Sequence, residues 1–256
     1  MNQSLGRRLF AEFLGSAFLA AVVIGSGIAA ARLSPGNVGL DLFENAAATS
    51  AGLFAIILMF GPVSGGHFNP VVSLVDASFR GLSWRAAGAY VPAQVAGCVG
   101  GAVLANAMFA QGAVTISTKH RASAAHLLAE AVATLGLLIV IFALARTRRG
   151  SSAPAAVGAY IGAAYFFTSS TSFANPAISV GRMFSDTFAG IAPSSAPGFV
   201  VAQLIGAAVA IGVVRLLYPD VTPEDAAQVV LPHSDGRSGR EGGTIAGRTG
   251  QATGPN

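Results

Sequence analysis

Apolar residues in this chain come in long runs. Six stretches, near 9–31, 42–61, 84–108, 122–145, 153–168 and 198–217, hold almost no charge and approach the ~20 residues a helix needs to cross a hydrocarbon core. Each is read as a transmembrane helix. The second and fifth are rich in Ala, Gly and hydroxyl residues. That composition suits helices buried among neighbours, where small residues let backbones approach, as at Gly97 with Gly101 and Gly158 with Gly162. Two shorter pieces, 69–79 and 175–191, each open on Asn-Pro and are too short to span. Arg7 and Arg8 precede the first run as they would in a signal peptide, but that run is too long and more follow, so it is read as a retained span.

The pattern occurs twice. Glu12 in the first span is followed by His67-Phe68-Asn69-Pro70-Val71 and then Gln94-x-x-Gly97. Glu130 in the fourth is followed by Phe173-Ala174-Asn175-Pro176-Ala177 and then Gln203-x-x-Gly206. The expected domain is residues 1–218, with one repeat at 7–108 and the other at 122–218. Three spans per repeat is an odd number, so the second must enter the membrane upside down, and such folds place function where the repeats meet near the midplane. Asn is a favoured helix cap and Pro suits the first helical turn. Each short piece is therefore expected to start a half-helix, the two N-termini facing each other at mid-membrane, each equivalent to roughly half a positive charge. Irregular backbone at that depth is tolerated only when buried in protein or lining a wet cavity, and a polar pore is the simplest consequence.

Charge narrows the class further. Lys and Arg number 15 and Asp and Glu 11, together 10% of the chain, against about 25% in an ordinary soluble domain. A soluble enzyme is excluded on that ground, and no basic stripe suggests nucleic acid. Cys98 is the sole cysteine, so neither a disulfide framework nor a cysteine metal cluster is expected, and no cofactor or metal site is read. Eight basic residues fall on the N-terminal side of the membrane against four (Arg32, Lys119, Arg121 and Arg182) on the other, which places both termini in the cytoplasm. Residues 219–256 are rich in Gly, Pro, Ser and Thr and are expected to form a disordered cytoplasmic tail.

The duplicated Asn-Pro boxes, Ser64-Gly65-Gly66-His67-Phe68-Asn69-Pro70, the paired Glu and the Gln-x-x-Gly helices resemble the aquaporin and glycerol-facilitator family over about residues 7–218. The resemblance implies six spans and two half-helices in an inverted repeat, a homotetramer with one pore per subunit, and passive passage of water and small neutral solutes through the lipid bilayer. It makes Asn69 and Asn175 pore donors, and the carbonyls of Gly65, Gly66, His67, Thr171, Ser172 and Phe173 a polar rail. Most aquaporins carry an Arg directly after the second Asn-Pro-Ala, where this chain has Ile178. An ungapped count puts the other filter positions at Thr49, Ala163 and Ser172, all small or uncharged, so a throat wider than water needs is expected. Arg182, one turn beyond Ile178, is expected at the rim of the outer vestibule. Together with the run from Arg182 to Ile191, these departures look like bacterial inner-membrane channels that accompany arsenic-resistance genes, implying passage of trivalent arsenous acid and glycerol-like polyols.

Alternatives stay open at this level. A water-selective channel uses the same scaffold, and inverted repeats also build ion-coupled transporters. Glu12 and Glu130, read as the only carboxylates deep in spans, are functional candidates by default, a proton relay among them. The family implies instead that each holds the entry loop of one half-helix. A junction protein on this scaffold would show almost no flux.

Overall fold

The computed structural model describes residues 3–219, and within them every regular element is helical. The tail expected at 219–256 lies outside them except for its first residue. The helices are α1 (Leu5–Leu33), α2 (Val38–Ser64), α3 (Pro70–Ser78), α4 (Trp84–Met108), α5 (Ala124–Arg146), α6 (Ala153–Phe167), α7 (Pro176–Gly181) and α8 (Ala196–Leu217). Short 3-10 turns precede α6 (Gly150–Ser152) and follow α7 (Arg182–Phe184).

Caps set the starts. Ser4, Asn37, Ser83 and Ser123 each accept a backbone N–H of the first turn of α1, α2, α4 and α5, satisfying donors that the helix itself leaves unpaired. Five helices, α1, α2, α4, α5 and α8, are long and apolar enough to cross a membrane. The fifth expected span, α6, has 15 residues and rises about 22 Å, short of a ~30 Å hydrocarbon core. Its preceding 3-10 turn and the extended backbone after Thr168 carry the chain further.

The packing shows the repeat directly. α1 lies against α4 and α2, and α5 lies correspondingly against α8 and α6, while α3 rests on α4 and α7 on α8. The halves are joined where α2 meets α6, α4 meets α7 and α3 meets α8. In lipid there is no water to expel from helix interfaces, so close van der Waals packing has to hold them. Small residues permit it: a Cβ on Gly97 or Gly101 would overlap the α1 carbonyls of Phe13 or Ala17, and one on Gly206 would overlap the Ala131 carbonyl of α5. Gly97 and Gly206 are the repeat-related members of the two Gln-x-x-Gly motifs.

Candidate solute pathway

The two half-helices meet through their caps. Asn69 and Asn175 have extended backbones (φ −153° and −157°) and precede Pro at the first helical position. Asn69 Oδ1 accepts the Val71 N–H at 3.1 Å, and Asn175 Oδ1 accepts those of Ala177 and Ile178 at 2.9 and 3.3 Å. With the oxygens thus oriented inward, each amide nitrogen reaches into the other half. Asn69 Nδ2 donates to Ala174 O and Asn175 Nδ2 to Phe68 O, both at 2.8 Å. Each side-chain amide keeps a second N–H. Pro70 and Pro176 are buried, and Val71 and Ala177 are fully so.

The entry loops are strained and tied down. Gly65 and Gly66 take left-handed backbones, as do the non-glycine residues Phe68, Thr171, Ser172 and Ala174, each of the latter costing on the order of 1–3 kcal/mol. Fully buried carboxylates hold these turns. Glu12 accepts the N–H groups of His67 (3.0 Å) and Phe68 (2.7 Å), the Ser64 hydroxyl (2.6 Å) and the Gln94 amide (2.8 Å). Glu130 accepts the N–H groups of Phe173 and Ala174, both at 2.8 Å, and the Gln203 amide at 2.7 Å. The same Gln side chains donate at 3.0 Å to Ser73 and Ser179 on the half-helices. A carboxylate saturated in this way has little left for proton relay.

A single cavity runs past both Asn residues. Gly66, His67, Asn69, Ser172, Phe173 and Asn175 border one side of it, and Leu19, Val23, Leu53, Ile57, Leu137, Ile141, Val157 and Ile161 form an apolar wall. These polar groups come from the entry loops and half-helix caps, and the aliphatic ones from α1, α2, α5 and α6. Gly65 and Thr171 do not border it. The His67 ring has no exposed area, because Ser73 Oγ lies 3.0 Å from Nδ1 and Asp76 Oδ2 lies 3.4 Å from Nε2. Asp76 is a third fully buried carboxylate, in α3, that sequence reasoning missed; its place three residues after Ser73 in an apolar half-helix was the available signal.

The mouth opposite the chain termini differs from expectation. Thr49, Ser172 and Ile178 border the cavity there, but Ala163 is exposed on another face of α6. Tyr165, two residues on, takes the wall position, 3% exposed, with its hydroxyl 3.2 Å from Thr49 Oγ1. An ungapped count misplaced the residue because it carries no information on the rotation of α6, whose Gly158 and Gly162 seat against Ser50 of α2. Arg182 is not a rim residue: it is 2% exposed, borders the cavity, and lays its guanidinium 3.4 Å from the Phe173 ring centroid. The α-helix gives way at Gly181 to a 3-10 turn, and the Arg182 Nε donates to Ala189 O. Tyr165 and Arg182 thus join Thr49, Ser172 and Ile178 in the lining, two large side chains that the sequence count did not place there.

Inverted half-helices that meet at their caps beside a cavity enclosed by membrane-spanning helices define an integral membrane channel rather than an enzyme. The model for the major intrinsic protein family matches residues 1–184. Aquaglyceroporin AqpS of Rhizobium meliloti (strain 1021) is 47% identical over 219 residues, 86% of this chain and 93% of that one. Aquaporin NIP6-1 of Arabidopsis thaliana is 35% identical over 167 residues, covering 62% of this chain and 52% of its own length. The X-ray structure of the aquaglyceroporin from Plasmodium falciparum superposes with a TM-score of 0.64 over 84% of this chain and 98% of that chain, at 21% identity. The chain belongs to the major intrinsic protein family.

Proposed function

We propose that the protein is a passive channel for small neutral polyhydroxy solutes, glycerol and trivalent arsenous acid among them, through which water also passes. The observation that carries this reading is the one-sided polarity of the cavity, Asn69 and Asn175 facing an aliphatic wall. A solute with several hydroxyls on a carbon or metalloid centre replaces its water contacts at the polar groups and loses little against the wall. Asn69 and Asn175 offer donors at the centre, flanked by helix N-termini that disfavour cations. The similarity to a relative named as an aquaglyceroporin supports the same choice. We place the protein in a bacterial inner membrane as a homotetramer, with both termini cytoplasmic.

Purified protein in vesicles tests the proposal by light scattering. Glycerol and arsenite entry at rates well above protein-free vesicles is expected. Uptake driven uphill by a proton or sodium gradient would establish a coupled transporter instead. Tyr165 and Arg182 in the throat favour a second reading, a water-selective pore. Water permeation with no glycerol or arsenite entry would establish it.

A further inference from the structure

Three cations at the distal mouth, the one opposite the termini, converge on a single short loop. Lys119 Nζ donates to Phe188 O at 2.9 Å, and Arg121 donates through Nη2 to the same oxygen at 3.4 Å and through Nε to Gly190 O at 3.0 Å. Arg182 Nε takes Ala189 O between them. The 109–123 connection is held over this loop by backbone bonds, Ser117 N to Met183 O and Ala192 N to Lys119 O, at 2.9 and 2.8 Å. All acceptors of the three cations are neutral carbonyls, and none of the three has a carboxylate within 4.0 Å among the described residues. The neighbouring Asp186 is engaged by the Thr118 N–H and hydroxyl, at 2.9 and 3.2 Å.

Two further facts give this cluster a direction. Arg182 is almost wholly buried and borders the cavity, yet among the described residues only its Nε has a protein acceptor. The terminal nitrogens are left for an occupant of the passage, and a buried charge without an acceptor is costly. Phe173 gathers the like charges, since the guanidinium carbons of Arg182 and Arg121 lie 3.4 and 5.5 Å from its ring centroid and are attracted by its π face. Lys119 feels them: burial first, then the charges of Arg121 and Arg182, lower its ammonium below the ordinary value, against the pull of Asp186.

We infer that the distal mouth is a binding site for a small oxyanion of phosphate or carboxylate chemistry, held by Arg182, Arg121 and Lys119, and that its occupant closes the channel. A guanidinium fork matches either anion geometrically, and an anion on Arg182 stands in the solute's path. Closure rests on the channel reading; binding does not.

Two measurements separate them. Titration calorimetry of the detergent-solubilised protein with inorganic phosphate, at ionic strength fixed with chloride, is expected to show saturable binding. Lys119→Gln and Arg121→Gln are each expected to weaken it about tenfold, the scale of one charge-assisted hydrogen bond. In vesicles, external phosphate is expected to slow osmotic swelling in glycerol relative to chloride, the ratio being read within each variant so that altered basal flux cancels. Absence of saturable phosphate binding, or binding in both variants as tight as in the unsubstituted protein, overturns the site. Binding without slowing overturns closure alone. Vesicles that pass no glycerol in chloride refute the channel proposal and leave the calorimetry to decide the site.

Discussion

Asp76 and Arg182 stand at matching positions of the two inverted repeats, Asp76 within α3 and Arg182 in the 3-10 turn that follows α7. Each stands seven residues after its pore Asn, and each reaches back to the side chain two residues before that Asn. Asp76 meets the His67 ring in the first half and Arg182 meets the Phe173 ring in the second. One scaffold position thus carries an acid in one half and a base in the other. The passage is electrically asymmetric although the helices of its two halves pack in the same pattern. The cation borders the cavity and the acid does not, so the distal throat bears the charge that a solute meets.

The throat assignment is tested by a pair of substitutions on α6. Tyr165→Ala removes a buried ring that borders the cavity, whereas Ala163→Leu enlarges an exposed side chain. Erythritol permeability relative to glycerol is expected to rise in Tyr165→Ala and to stay unchanged in Ala163→Leu, measured by stopped-flow swelling. A shift in the second with none in the first would return Ala163 to the throat.

Ile178→Arg places a second guanidinium on the cavity wall beside Arg182. Bulk and like-charge repulsion both narrow the opening. Glycerol and arsenite fluxes are expected to fall roughly tenfold or more, an added barrier of ~1.4 kcal/mol, with a smaller loss of water permeability. Equal loss of all three solutes would indicate misfolding.

Glu130→Gln keeps the shape of a side chain that accepts two backbone N–H groups and the Gln203 amide, but replaces one acceptor oxygen by a donor. A buried donor left without an acceptor costs about 1–3 kcal/mol. A lower melting temperature in detergent is expected. Glu12→Gln, which touches four such bonds, should lower it at least as far. A proton relay predicts instead an unchanged melt and an altered pH dependence of flux.

Gly97 and Gly100 lie one turn apart on α4 but face differently. A Cβ at Gly97 would overlap the Phe13 carbonyl of α1, and one at Gly100 meets nothing within 4 Å. Gly97→Val is expected to destabilise by ~1–3 kcal/mol or more and to reduce the yield of folded protein on size-exclusion chromatography, while Gly100→Val leaves it unchanged.

Much of the architecture was legible because its signals are local. Runs of apolar residues bound the spans, and α4 has the limits expected, 84–108. Asn-Pro marks a helix start wherever it stands, and the recurrence of Glu, Asn-Pro and Gln-x-x-Gly reveals the inverted repeat without any contact being known. Facing directions at the distal mouth were less legible. Whether Ala163 or Tyr165 turns inward depends on the rotation of α6, which is set by Gly158 and Gly162 seating on Ser50, whose hydroxyl donates to Gly158 O at 2.8 Å. Arg182 turns inward because the helix tightens at Gly181 and the Ala189 carbonyl is presented to it.

By itself, then, the amino-acid sequence determined that this protein lives in a membrane, that it is built of two inverted halves, and that two capped half-helices start within it. Those properties depend on hydropathy and on capping chemistry spanning a few residues. Only the tertiary structure decided which side chains narrow the passage and where three cations gather. Those outcomes depend on helix rotation, loop length and contacts between residues more than sixty positions apart, none of which a local pattern records.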